Sequence, residues 1–323
     1  MDLSLFDALS PAQRRSLVET VAENLRSQLA NGQLTEVTPE AIAVQLRRAN
    51  AELSGNATSG QRQIVPPADH VRGTWQNKGD LRNLGSLGVD RIGVSSASGG
   101  LSAPEMARLI DHTLLKPMST RADVIRVCKE AKEYGFKSVC LNTTWIRIAA
   151  QELRGSQVMP IAVVGFPLGA MSTKGKSLET RQAISDGAEE IDMVINIGAL
   201  KGGDHNLVFD DIRAVVDAAQ GRPVKVILET TMLSREEKIA GCTISKAARA
   251  HFVKTSTGFG GGGATIEDVE LMRSVVGPEM GVKASGGVRN ADDLQKMVDA
   301  GATRIGASAG IAIVQGQTSS GSY

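Results

Sequence analysis

Aromatic residues are scarce: six Phe, two Tyr and two Trp make up 3% of the 323-residue chain. That leaves no material for base-stacking platforms or for the aromatic belts of a membrane interface. Charge of one sign is missing too, since 36 Lys and Arg face 35 Asp and Glu for a net charge of +1. Without a basic field to hold a phosphate backbone, nucleic acid is not an expected partner. Three cysteines, Cys128, Cys140 and Cys242, are too few and too scattered for a disulfide framework or a CxxC clip, so a reducing cytoplasm is the expected compartment. The four histidines never fall in an H-E-x-x-H pattern, so neither a metal nor another cofactor is expected. No apolar run approaches the ~18 residues that span a bilayer, and Asp2 and Asp7 stand where a signal peptide carries basic residues. A soluble chain with no membrane partner follows. What is plentiful is glycine, 35 residues, above the usual proportion of about 7%.

The first hundred residues read as an extension. Ser10-Pro11-Ala12-Gln13 has the pattern of a helix start, and Leu17, Val21, Leu25 and Leu29 then recur every four residues until Asn31-Gly32. Thr38-Pro39-Glu40 opens a second helical pattern with Ile42, Leu46, Ala49 and Leu53 apolar, ending at Gly55. These make a helical hairpin with one apolar seam. From there to residue 100 no period is sustained, as in a linker.

From residue 101 to 316 short β-branched runs alternate with amphipathic helical stretches. Eight strands are predicted, at residues 108–115, 138–142, 161–167, 190–196, 224–230, 251–257, 281–287 and 304–310, starting about 23 to 34 residues apart as βα units require. Gly135, Gly187 and Gly301 each stand between a helix and the next strand, where a left-handed cap is expected. The spacing predicts an α/β chain folded as a (β/α)8 TIM barrel with an N-terminal helical extension and a short tail over 317–323. The alternative, an open doubly wound sheet, lacks its nucleotide fingerprint.

In such a barrel the strand interiors are apolar and function gathers at the strands' carboxyl ends. Asp192 in EIDMVIN, Lys254 in HFVKTST and Lys283 in GVKASGG break that rule. They read either as a buried ion-pair network or as chemistry. Two lysines on neighbouring strands share one small space, and both burial and like charge work against protonation. An amine freed of its proton attacks a carbonyl to form a Schiff base, and Asp192 could move the protons. Thr257 and Gly258, Gly260 to Gly263, Gly286 and Gly287, and Gly306 to Ser308 place glycine-rich loops after the last three strands, where a phosphate is commonly bound. Asp111 in IDHT is a further candidate for the mouth, as a hydrogen-bonding partner or a strand-end residue. Glu229 reads as a carboxylate that positions a lysine, Cys140 as a small buried hydrophobe, and Lys174 and Lys176 as a solvated loop pair.

The segments LIDHTLLKP, VCLN, VGFPLGA, EIDMVINIGAL, VKVILET, FVKTSTGFG, VKASGGVR and RIGASAG, in this order over about 105–315, resemble the deoxyribose-phosphate aldolase family. The resemblance implies a class I aldolase that reversibly cleaves 2-deoxy-D-ribose 5-phosphate to acetaldehyde and D-glyceraldehyde 3-phosphate without a metal. By motif position it implies Lys254 as the Schiff-base lysine, Lys283 as the lysine that perturbs it, Asp192 as the proton-transfer acid, and Gly286, Gly287 and Gly306 to Ser308 as phosphate loops. Tyr323 ends the sequence as a tyrosine that a flexible tail carries to the site in some relatives. The implied partners are a phosphosugar and an aldehyde, together with further copies of the chain in a homo-oligomer. Two features depart from the pattern: Ala248-Arg249-Ala250 replaces a helix-ending glycine, and Ala309 follows Ser308 where many relatives carry a second serine. Alternatives are an aldolase that prefers unphosphorylated aldehydes and a phosphosugar-binding barrel without catalysis.

Overall fold

The computed structural model describes residues 11–31, 37, 42, 44, 45 and 100–319. The chain divides into two compact units, residues 1–53 with 101–323 and residues 54–100. Of the second, only Gly100 is described.

In the first unit eight parallel strands close a barrel in sequence order, with β8 pairing back onto β1. They are β1 Ile110–Leu114, β2 Ser138–Asn142, β3 Met159–Val164, β4 Glu190–Val194, β5 Val224–Ile227, β6 Phe252–Lys254, β7 Gly281–Ser285 and β8 Arg304–Ala307. The helices are α1 Pro11–Ala30, α2 Ala103–Ala107, α3 Arg121–Tyr134, α4 Ile146–Glu152, α5 Thr173–Ser185, α6 Ile197–Lys201, α7 His205–Ala218, α8 Arg235–Ala247, α9 Ile266–Val276, α10 Ala291–Asp299 and α11 Gly310–Val314. The expected TIM barrel is present, with each expected strand overlapping an observed one.

Local chemistry explains the alternation. Thr120, Ser172, Ser234, Thr265 and Asn290 each accept a hydrogen bond from the backbone N–H three residues on, satisfying donors that a helix start leaves open. At the other end Gly135, Gly187 and Gly301 take φ of 67°, 107° and 110°, turning the chain into the next strand. After α8 that left-handed position falls to Arg249, with φ 65°. The chain therefore makes the same turn without glycine, against a left-handed cost of about 1–2 kcal/mol.

Period two along the strands sorts the side chains. Val139, Val226, Val253, Val282 and Ile305 join the apolar layer between sheet and helices. Their neighbours face the barrel axis, where a small apolar cluster of Leu115, Cys140, Ile161 and Val163 occupies the β1–β3 side. Outside the barrel, α1 lies on α8 and α9. Its Leu17, Val18, Val21 and Leu25 are buried in the same apolar layer as the barrel helices. α8 is consequently buried from Ile239 through Ser245 without a break, covered on both faces. Leu29's side chain, and Leu46, Ala49 and Leu53 of the second helical pattern, lie outside the description; Ile42 is helical and buried.

Candidate active site

Strand register brings the three anomalous residues together. Lys254 and Lys283 are direct partners across β6 and β7, and Asp192 on β4 pairs across β5 through Lys225. Asp192 Oδ2 accepts from Lys254 Nζ at 3.0 Å and Lys283 Nζ at 2.7 Å, while its Oδ1 accepts from Lys225 Nζ at 2.8 Å. Asp111 joins them, its Oδ2 lying 2.6 Å from Lys283 Nζ and its Oδ1 accepting from Ser138 at 2.6 Å and Arg304 at 2.8 Å. All are buried.

This environment separates the two lysines. Burial pushes the Lys254 ammonium below its ordinary pKa; Asp192 opposes the shift and Lys283 adds to it. Burial acts on Lys283 as well, but Asp111 and Asp192 together hold it well above the ordinary value. The expectation that shared space works against protonation of both lysines therefore holds for Lys254 alone. Burial would raise Asp192, yet Lys225, Lys254 and Lys283 keep its carboxyl well below the usual range. The result is one amine poised to lose its proton beside a fixed cation and a fixed anion.

The loops after β6, β7 and β8 sit at the carboxyl ends of the two strands that carry Lys254 and Lys283 and of their neighbour, which carries Arg304. Gly263 and Gly286 lie backbone to backbone, so that a Cβ on Gly263 would stand 2.4 Å from Gly286, and Ala264 N–H donates to the carbonyls of Ser285 and Gly286 at 3.0 Å. Gly306 makes room for Lys283, whose Cε would lie 3.0 Å from a Cβ there. Thr257 is buried; Gly258 and Gly287 have φ of 88° and 81°; Ser308 is exposed just past β8. The hydroxyls of Ser256 and Ser285 have no hydrogen-bond partner among the described residues. On the opposite side Phe166, after β3, packs on the Leu115, Cys140, Ile161 and Val163 cluster and meets Phe259 edge-on at 5.4 Å. The mouth is thus apolar beside β1–β3 and polar and glycine-rich beside β6–β8. Tyr323 lies outside the described residues.

Two expectations are corrected. Glu229 positions no lysine: with φ 59° at the end of β5, it accepts from the N–H of Thr257 at 3.3 Å and from its hydroxyl, tying down the strand-six loop. Lys176 is not solvated, because it lies on α5 fully buried, donating to Val194 O at 2.8 Å and pairing with Asp211 of α7. The absent side chain of Gly165, which leaves room for the Lys176 stem, and the carboxylate on α7 decide this, and neither is visible along the chain. Sequence reasoning also missed Glu190, Lys225 and Arg304, all buried toward the barrel axis. Their signal was strand alternation: Glu190 stands two before Asp192, Arg304 two before Gly306, and Lys225 between two valines.

Among the described residues, no group of three His, Cys, Asp or Glu is placed to hold a metal ion, and no helix is long and apolar enough to cross a membrane. A closed parallel barrel with a deprotonation-prone lysine, a second lysine and a carboxylate at one end defines a (β/α)8 enzyme of the aldolase type. Comparison with known proteins makes this particular, since residues 106–316 match the DeoC/LacD family of aldolases. The chain belongs to that family. It is 59% identical over 217 residues to a deoxyribose-phosphate aldolase of Staphylococcus epidermidis, covering 67% of this chain and 99% of that protein. It is likewise 59% identical over 220 residues to one of Halalkalibacterium halodurans, covering 68% and 98%. The solved tetrameric deoxyribose phosphate aldolase of Aeropyrum pernix superposes with a TM-score of 0.63 at 32% identity, over 72% of this chain and 96% of that one.

Proposed function

We propose that the chain is a class I aldolase that reversibly cleaves 2-deoxy-D-ribose 5-phosphate to acetaldehyde and D-glyceraldehyde 3-phosphate, with Lys254 forming the Schiff base. The observation that carries this reading is the Lys254 amine, buried, lowered in pKa and bonded to Asp192 beside a cationic Lys283. A neutral amine attacks the substrate carbonyl; loss of water leaves an iminium that acts as an electron sink while the carbon–carbon bond breaks. Asp192 touches the reacting nitrogen and moves the protons of the carbinolamine and enamine steps. Lys283 holds Asp192 ionised. Thr257, Gly258, Gly286, Gly287, Gly306 and Ser308 offer the phosphate backbone and hydroxyl donors, and the apolar β1–β3 side suits the two-carbon fragment. Asp111 supports Lys283 from below. Ser319 N–H donates at 3.1 Å to Arg289 O in the loop after β7, and Tyr323, four residues further along the sequence, is a candidate for the site by the family resemblance alone.

In this reading residues 101–316 are the aldolase barrel, 1–100 an extension and 317–323 the tail. The tetramer of the Aeropyrum pernix relative supports a homo-oligomer, and three free, buried thiols agree with a cytoplasmic protein. Borohydride with acetaldehyde is expected to add mass to Lys254 and to leave Lys254→Ala unlabelled. Label elsewhere, or none, overturns the assignment. Loss of most turnover on bare 2-deoxyribose is the expected sign of phosphate dependence; equal rates would favour an aldolase for unphosphorylated aldehydes.

A further inference from the structure

Six buried side chains close a ring in the barrel interior, next to the Lys254 amine. It runs from Glu190 to Lys225, Asp192, Lys283, Asp111 and Arg304 and back to Glu190, acid and base alternating at every step. Glu190 Oε2 accepts from Lys225 and, at 3.1 Å, from Arg304, whose other terminal nitrogen reaches Oε1 at 3.3 Å. The Phe252 ring lies 5.6 Å from Lys225 Nζ and 5.4 Å from Arg304 Cζ, and it rests where a Cβ on Gly281 would collide. Three carboxylates face three cations, so the ring has a formal charge of zero. Lys254 stands outside it, joined through Asp192 at 3.0 Å.

Every ring member loses a buried partner if its charge changes, which is costly. A proton on Lys254 instead adds one uncompensated charge to a neutral cluster. We propose that the closed ring sets the charge state of the Lys254 amine, with Glu190, Lys225 and Arg304 as positioning residues that act through Asp192, Asp111 and Lys283. The proposal rests on Lys254 being the Schiff-base amine. The charged and titratable groups that act directly on Lys254 are Asp192 of β4, Lys283 of β7 and Cys140 of β2; Lys225, Glu190, Asp111 and Arg304 are reached through Asp192 and Lys283. Burial pushes the Cys140 thiol up to about 11, so it stays neutral.

The test is the pH midpoint of borohydride trapping of acetaldehyde at Lys254, read by peptide mass on the full chain. Glu190→Gln leaves the ring at +1 and is expected to lower the midpoint by about one pH unit; Lys225→Met and Arg304→Met leave it at −1 and raise the midpoint by about as much. Arg304→Lys keeps the charge and leaves the midpoint in place. The double variant Glu190→Gln/Lys225→Met restores zero charge and returns the midpoint to that of the unmodified protein. A purely structural role would slow trapping without moving midpoints in opposite directions. Shifts of one sign, or none, overturn the ring. Where one single variant fails to fold, the remaining charge-changing variants still have to move the midpoint with the sign of their charge change, and a displaced midpoint in Arg304→Lys or in the double variant overturns the ring. An unlabelled Lys254 in the unmodified protein defeats the Schiff-base reading; labelling with unmoved midpoints defeats only the ring.

Discussion

Replacing Asp192 with asparagine removes the one carboxylate that Lys225, Lys254 and Lys283 all contact, at 2.8, 3.0 and 2.7 Å. An asparagine oxygen can still accept from an ammonium, but it neither balances the charge nor takes a proton. Breaking a buried ion pair from one side costs about 3–5 kcal/mol. At about 2–4 °C per kcal/mol for a domain of this size, the melting temperature should fall by roughly 6–20 °C. Proton transfer by a positioned side chain contributes about 10²–10⁴-fold, so retro-aldol turnover should fall by that factor. Trapping should behave differently. Asp192 is the group that draws the Lys254 pKa upward against burial, so without it the amine stays neutral to lower pH. Borohydride labelling of Lys254 should therefore still go to completion, more slowly because the carbinolamine step has lost its proton carrier, and should extend toward acid while turnover collapses. A folded variant that keeps turnover within about threefold, or that loses labelling together with turnover, would refute the reasoning.

The lowered pKa of Lys254 is also a statement about stability. The unfolded chain keeps that proton up to about pH 10.4 while the folded chain releases it earlier, so folding stability rises with pH between the two values. Lys254→Met removes the burden and should be more stable near neutral pH, with the advantage shrinking as pH approaches ~10.4; urea melts that show a constant gap would contradict this. Leu25 of α1, 2% exposed, should cost about 2–4 kcal/mol as Leu25→Ala. An unchanged main calorimetric transition would mean that α1 melts apart from the barrel.

Much of the architecture was legible because each βα unit carries its own signals. Gly135, Gly187 and Gly301 announce helix ends and β-branched runs mark the strands that follow, whereas Thr120, Ser234 and Asn290 show as helix starts only once the structure places their side chains. Lys254, Lys283 and Asp192 were legible because a charge on a strand that should be apolar is an anomaly in one dimension. Lys176 was not: on a helix a lysine is unremarkable until the turn above and Asp211 on another helix enclose it. Glu229 failed for a related reason, since its partner depends on how the strand-six loop folds back. Arg249 shows a local rule overridden, a left-handed turn kept without glycine because the following strand has to begin there.

The sequence by itself determined the number of βα units, their order, the apolar face of α1 and the identity of three charges that had no business on buried strands. Local chemistry is enough for that, because caps, periodicity and anomalies are properties of neighbouring residues. Closure of the barrel decided the rest. Bringing β8 against β1 places Arg304 beside Asp111, and only then do Glu190, Lys225, Asp192, Lys283, Asp111 and Arg304 meet end to end. Whether a buried lysine holds its proton depends on the sum of charges around it and on the water excluded from it. Both are set by residues far apart in the chain, which is why Lys254 and Lys283, alike in sequence, differ in state.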